Sequence, residues 1–323
     1  MTAETVPIEA GVYLRTYLQP FAGWLGQPDV TELLVNRPGE LWVERAGGRA
    51  MERIEAPEIN EMLLSRLATQ IARFSHQGIN RENPLLGATL PSGERVQMVS
   101  PPATRRYWAL AIRRHVTIDV TLDSFKHGRV ATGGAQSLDA RLAETDPAAF
   151  LREAVRLRKT ILISGGTSSG KTTFLNALLK EVPADERIIA VEDAAEVLLT
   201  QPNAVGLVAV KGALGQAQVD VNDLLQASLR LRPDRIIVGE VRGPEAVTFL
   251  RAINTGHPGS FTTVHANTPD GALEQLALMV MQAGLPMSRR DTIDYVASLV
   301  DVVVQLKREG GERRITDIRT LNG

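Results

Sequence analysis

The sequence predicts two domains in series, a smaller α+β domain followed by an α/β domain built on a parallel sheet. Three observations lead there. The chain has 323 residues, which is long for a single hydrophobic core. Its first half mixes helical periodicity with short alternating runs. Its second half alternates buried β-branched runs with helical stretches, the pattern of a parallel sheet with helices on both faces. Between the halves, His127-Gly128-Arg129-Val130-Ala131-Thr132-Gly133-Gly134-Ala135-Gln136-Ser137 is rich in Gly and small residues, and reads as a linker or a plain surface loop. The expected division is an N-terminal domain over 1–127, a linker over 128–138 and an α/β domain over 139–323.

The elements follow in order. Val12 to Leu25 is apolar-periodic and suits a helix. Glu32 to Asn36 and Leu41 to Arg45, joined by Arg37-Pro38-Gly39-Glu40, read as a hairpin ended by Gly47-Gly48. Ile59 to Phe74 carries Met62, Leu63, Leu67, Ile71 and Phe74 near helical spacing. Leu90-Pro91-Ser92-Gly93-Glu94-Arg95 turns into a strand at Val96 to Val99, and Trp108 to Arg113 makes another. From Pro147 the order becomes helix, strand, helix, strand, with Ile188 to Val191 and Arg235 to Gly239 as buried strands. Ligands on such a sheet bind beyond the carboxyl ends of the strands.

Bulk properties narrow the function classes. Hydrophobic residues are 44%, charged residues 23% and the formal net charge is -1, so no global field draws the chain to nucleic acid or anionic lipid. The absence of cysteine excludes disulfides and thiolate zinc sites. No apolar run reaches the length of a bilayer span, and no signal-peptide order opens the sequence, which leads us to expect a cytoplasmic protein with peripheral membrane attachment open. Aromatic residues are 4%, and no basic stripe is legible, which disfavours a DNA-translocating motor.

The run Thr160 to Thr173 contains Gly165-Gly166-Thr167-Ser168-Ser169-Gly170-Lys171-Thr172, a G-x-x-x-x-G-K-T pattern between a β-branched strand and the helical stretch from Phe174 to Lys180. This is a phosphate-binding loop in the context it requires. Glycines let backbone N–H groups approach phosphate oxygens, and the helix N-terminus favours the same anion. Gly165 through Thr173 would hold the triphosphate of ATP, Lys171 the β/γ-phosphates, and Thr172 an Mg²⁺ ion. Three further sites lie at or just after predicted strand ends. Glu192, in Glu192-Asp193-Ala194-Ala195-Glu196, is placed to face a γ-phosphate or its attacking water, although acids there also serve as helix caps. Glu240 follows Gly239, which occupies the usual aspartate position of a Walker B strand, and so takes over the metal-supporting or water-polarising role. His265 follows Thr262-Thr263-Val264 and can reach a γ-phosphate and report its loss, although a lone histidine is more often structural than catalytic. Arginines able to neutralise a transferred phosphoryl group are numerous: Arg95, Arg113, Arg114, Arg230, Arg232 and Arg242. Spacing alone selects none of them.

Together, S-G-G-T-S-S-G-K-T-T at 164–173, I-A-V-E-D-A-A-E at 189–196, the segment 224–246 ending G-E-V-R-G-P-E-A, and T-G-H-P-G-S-F-T-T-V-H-A-N at 255–267 resemble the secretion (traffic) ATPases of type IV secretion, conjugation, type II secretion and type IV pili. The hallmarks of that superfamily are a Walker A loop, an Asp box, a Walker B ending in Gly-Glu and a His box, in this order. L-P-S-G-E-R-V-Q at 90–97 and A-I-R-R at 111–114 extend the resemblance into the first half. Lacking a tetracysteine insertion and a long N-terminal region, the chain looks most like the VirB-type ATPase of type IV secretion and conjugation. The resemblance implies a RecA-like ATPase domain and a hexameric ring with nucleotide between the two domains. It also implies Arg95 and Arg113 closing on the phosphates, with Arg114 a near alternative. Implied partners are inner-membrane channel components and other secretion ATPases, at the cytoplasmic face of the inner membrane, with no sequence-specific nucleic acid. An ATPase of a pilus or type II-like system, or a slow nucleotide-gated assembly switch, are the alternative readings. Ala194-Ala195 depart from the Thr or Pro of many relatives.

Overall fold

A computed structural model of the chain describes residues 8–114, 138–210 and 218–321. The expected linker at 128–138 lies outside them except for its last residue. By density of internal contacts, the chain forms two compact units. The first gathers the described residues up to 114 with Asp185–Ala195 and the described part of Gln201–Pro233, and the second holds the remainder.

The first unit opens with α1 (Ile8–Leu25), strands β1 (Val30–Val35), β2 (Gly39–Arg45) and β3 (Glu52–Ala56), helix α2 (Glu61–Phe74), and strands β4 (Leu85–Thr89), β5 (Arg95–Val99) and β6 (Ala109–Arg113). The strands form one antiparallel sheet in the order β3-β2-β1-β6-β5-β4. The period-2 alternation of β1 sorts its two faces. Leu33 and Val35 join the core with Leu14 and Phe21 of α1 and Leu64, Leu67 and Ile71 of α2, while Glu32 and Leu34 fall on the other face; a register shift between Val30 and Glu32 brings Val30 to the core side as well. Helix α2 starts where Asn60 accepts a hydrogen bond from the Leu63 amide at 2.9 Å, a capping arrangement worth about 1 kcal/mol.

The second unit begins with α3 (Ala140–Thr145), α4 (Pro147–Arg156), β7 (Ile161–Gly165) and α5 (Lys171–Leu179). The chain then supplies the first unit with β8 (Ile188–Glu192), β9 (Ala204–Val208) and α6 (Val221–Ser228), and returns with β10 (Arg235–Val238), α7 (Glu245–Asn254), β11 (Phe261–Val264), α8 (Pro269–Gln282), α9 (Arg289–Leu299), β12 (Val302–Glu309) and β13 (Glu312–Thr320). In the second unit the strands run in the order β13-β12-β7-β11-β10. β7 lies parallel to β11 and β12, β11 lies parallel to β10, and β13 closes the edge antiparallel to β12. The parallel strands are buried on both faces, as their unbroken apolar runs require. In the first unit β8 and β9 pair in parallel.

Two buried arginines hold loops rather than ligands. Arg235, fully buried, donates to the carbonyls of Val155 at 2.8 Å and Gly259 at 3.2 Å. Arg187, equally buried, donates to the Leu231 carbonyl at 2.8 Å and to Asn36 at 2.7 Å, joining three separate stretches of the first unit. The antiparallel hairpin β12–β13 and the strands β3, β4 and β9 are not among the expected elements; β13 is largely exposed and carries no strong apolar alternation.

Candidate functional site

Parallel register puts the carboxyl ends of β7, β10 and β11 on one side of the second unit. The loop Gly166 to Gly170 leaves β7 there and enters α5. Two residues bend it, Ser168 with φ 60° and Gly170 with φ 93°, both in the left-handed region. A Cβ on Gly165 would stand 2.9 Å from the Leu306 carbonyl, so only glycine fits at the strand end. Ser169 Oγ is buried without a hydrogen-bond partner. Gly170 is the N-cap of α5 and offers no side-chain cap, whereas α2, α4, α6, α8 and α9 are each capped by a side chain. The first N–H groups of α5 are therefore left for an incoming anion.

Lys171 is buried at 8% exposure. Its Nζ donates to the carbonyls of Gly165 at 3.0 Å and Gly166 at 3.4 Å, and to His265 Nδ1 at 3.1 Å. Burial pulls its ammonium below the ordinary lysine range; the Glu240 carboxylate opposes this and the Arg242 guanidinium adds to it. On its other side, His265 Nε2 lies 3.4 Å from Lys171 Nζ and 2.9 Å from Glu240 Oε1. The contact is ionic in reach but off the line of a hydrogen bond, and Oε1 is buried with no hydrogen-bond partner. The other oxygen of Glu240 accepts from Arg242 at 2.8 Å. Glu245 pins the turn behind this group by accepting from the amides of Arg242 at 2.6 Å and Gly243 at 2.8 Å. Lys171, His265 and Glu240 thus form one connected chain. Thr172 Oγ1 donates to Glu196 at 3.2 Å, so the hydroxyl expected to meet a metal rests on an Asp-box acid of its own unit. Thr173 accepts from Arg313 of β13 at 3.1 Å.

Glu192 ends β8 in the first unit at 3% exposure. Its carboxylate is paired with the guanidinium of Arg105. Arg95 and Arg113 also belong to this unit, and lie directly opposite each other on β5 and β6. Arg113 in turn faces Glu32 on β1, and Glu32 faces Glu44 on β2. Glu44, Glu32, Arg113 and Arg95 therefore form a row across four neighbouring strands. Arg113 Nε lies 3.5 Å from Glu32 Oε1. Glu32 is buried at 4% exposure with Oε2 unpartnered, and burial drives its carboxyl up to about 7 against the opposing charge of Arg113. A cavity of 720 Å³ opens on the row, lined by Glu32, Arg95, Gln97, Arg113, Arg230 and Arg232 among others. Arg232 pairs with Glu44. Arg114 is spent elsewhere, its amide donating to the Thr31 carbonyl at 2.9 Å and its guanidinium bonding the Gln27 carbonyl.

Sequence reasoning does not single out Arg105, Glu32 or Arg313. Glu32 carried one signal, a lone acid within the apolar run Val30–Val35. Arg105 and Arg313 carried none, since each acts through a register that local pattern does not reveal.

A parallel-sheet unit with this loop, an acid after β10 and a histidine after β11 defines a P-loop nucleotide-binding protein. Residues 18–315 match the family "Type II/IV secretion system protein", and the chain belongs to that family. It is 38% identical over 338 residues to the type IV secretion system protein VirB11 of Brucella suis, covering 97% of this chain and 92% of that protein. It is 39% identical over 330 residues to the type IV secretion system protein PtlH of Bordetella pertussis, covering 94% and 93%. The crystal structure of the Brucella suis VirB11 ATPase in complex with sulphate matches with a TM-score of 0.88 at 35% identity, covering 97% of this chain and 96% of that one. The resemblance to VirB-type secretion ATPases is borne out, as is the fold class of an α+β region followed by a RecA-like P-loop domain.

Proposed function

We propose that this chain is an Mg²⁺-dependent ATP hydrolase that powers assembly or substrate transfer in a type IV secretion or conjugation system. It would act as a hexameric ring at the cytoplasmic face of the inner membrane, against channel components and other secretion ATPases. The observation that carries the chemical reading is the connected group at the start of α5: an uncapped helix N-terminus, a buried lysine, and a histidine between that lysine and Glu240. The type IV secretion relatives support the biological reading.

The roles follow from the residues. Lys171 already donates to the loop's own carbonyls, and a γ-phosphate offers its ammonium stronger acceptors. An Mg²⁺ ion takes oxygen ligands, and the Thr172 hydroxyl with Glu240 Oε1, buried and accepting no hydrogen bond, suits that demand. When bound, the ion would neutralise charge building on the phosphates. Glu240, with Glu192, orients the attacking water and takes its proton. His265 touches both Lys171 and Glu240, so loss of the γ-phosphate would be felt by the catalytic acid through one side chain. Arg95 and Arg113 take the phosphate charge; as like charges on directly opposed strands they repel, and an anion relieves that. The division at 1–127, 128–138 and 139–323 would let turnover become motion of one domain against the other.

Steady-state phosphate release from ATP, with Mg²⁺ and with the metal chelated, tests the reading alongside sedimentation with nucleotide. Metal-dependent turnover by an oligomer of six is expected. Turnover indifferent to chelation, or a monomer at micromolar protein with ATP, would overturn it.

A further inference from the structure

The loop between β5 and β6 is bound to β9. The Val208 amide donates to the Ala103 carbonyl at 2.9 Å, the Arg105 amide donates to the Gly206 carbonyl at 3.1 Å, and Thr104 bridges Leu207 in antiparallel register. Residues 103–105 therefore continue the β8–β9 pair as a short further strand. From that anchor the Arg105 side chain crosses β9 to the Glu192 carboxylate at the end of β8. It crosses at Gly206, where an added Cβ would stand 2.6 Å from Arg105 Cδ and 3.0 Å from Cζ. A glycine in the strand is what admits the guanidinium.

We propose that Arg105 is a positioning residue for Glu192, fixing the direction in which that carboxylate presents its oxygens. The inference rests on the role given above to Glu192. The loop that carries Arg105 is tied to β9 by two backbone hydrogen bonds, so its guanidinium meets the Glu192 carboxylate from a fixed direction and restricts the orientation of that carboxylate. The ion pair is nearly closed to solvent on one side, with side-chain exposures of 2% for Glu192 and 27% for Arg105, so bulk water screens it weakly. Arg105 does not line the arginine cavity, which separates it from Arg95 and Arg113. The hairpin β5–β6 thus carries phosphate-facing arginines at its open end and a support for the Asp-box acid at its loop.

The test is steady-state phosphate release by the full-length, assembled protein. Arg105→Ala is expected to lower kcat about tenfold, the usual effect of losing a supporting partner of a reacting group, with KM for ATP changed less than about twofold. Arg105→Lys should recover part of the loss, since charge returns without the fork. Gly206→Ala should reproduce the loss by displacing the guanidinium while leaving it in the chain. In a Glu192→Gln background, Arg105→Ala should cost nothing further. Wild-type kcat in Arg105→Ala and Arg105→Lys while Glu192→Gln is impaired would overturn the inference alone. So would a loss equal in both backgrounds, which marks a purely structural arginine. Wild-type turnover in Glu192→Gln would instead overturn the role of Glu192 itself, and the inference with it.

Discussion

The two units gather positive charge in opposite ways. In the second, the proposed anion site is mostly backbone: an uncapped helix start, a left-handed glycine and serine, and one buried lysine. In the first, it is side chain: Arg113 and Arg95 stand in one row with Glu32 and Glu44 across four strands, with Arg230 and Arg232 beside the cavity. Peptide dipoles carry no net charge and need no counter-ion when empty. Guanidinium groups set side by side do need one, and here Glu32 serves Arg113 and Glu44 serves Arg232. The first kind of site is a fixed mould; the second is a charge balance that a ligand would shift.

Lys171→Ala breaks that contrast most severely. ATP turnover should fall about a hundredfold or more, yet the nucleotide-free melting temperature should hold or rise. The sign follows from the lowered pKa: a folded state that resists a lysine's charge is destabilised by it at neutral pH, so deleting the amine relieves the strain. A melting temperature several degrees lower would show instead that the Gly165, Gly166 and His265 bonds outweigh desolvation.

Glu240→Gln comes next. Phosphate release should drop about a hundredfold while ATP binding, followed by a fluorescent analogue, is kept or strengthened. Equal loss of both would make Glu240 a ligand-holding group rather than one acting in the reaction.

Arg113→Ala and Arg95→Ala test the side-chain site. Each should reduce turnover about tenfold, the effect of losing a charge-assisted hydrogen bond. Apo stability should shift by no more than about 0.5 kcal/mol, because relief of like-charge repulsion offsets lost contacts. A large loss of apo stability would recast the row as scaffold.

The smallest effect is expected from Glu32→Gln, and it should depend on pH. Glu32 has its folded pKa raised to about 7 from 4.5, so its favourable contribution is complete below pH 4.5 and is lost as pH rises through 7. Thermal melts should show the variant gaining a few degrees at pH 8 and nothing at pH 5. A gain that does not vary with pH would mean the carboxyl does not titrate there.

What was legible follows the same contrast. A backbone-built site is contiguous, so the loop at Gly165–Thr172 is visible with its flanking strand and helix, and Glu240 and His265 stand after recognisable strands. The row of charges is spread over Glu32, Glu44, Arg95 and Arg113, and becomes one object only through the strand register. Family resemblance named its two arginines; Glu32 showed locally only as a lone acid in an apolar run, which does not reveal its partners. Arg105 was hidden for a related reason, since its meaning depends on a glycine about a hundred residues later in β9. The β12–β13 hairpin escaped because an edge strand with exposed faces needs no apolar alternation.

The missing cap on α5 has a consequence for motion. A helix whose first amides have no acceptor is least protected at that turn, and the amides of Lys171 to Thr173 should exchange with solvent deuterium faster than those of the capped helix α8. Bound triphosphate would supply the acceptors the sequence withholds. For this helix a nucleotide would be the final piece of secondary structure, and each turnover would fray and reknit its first turn.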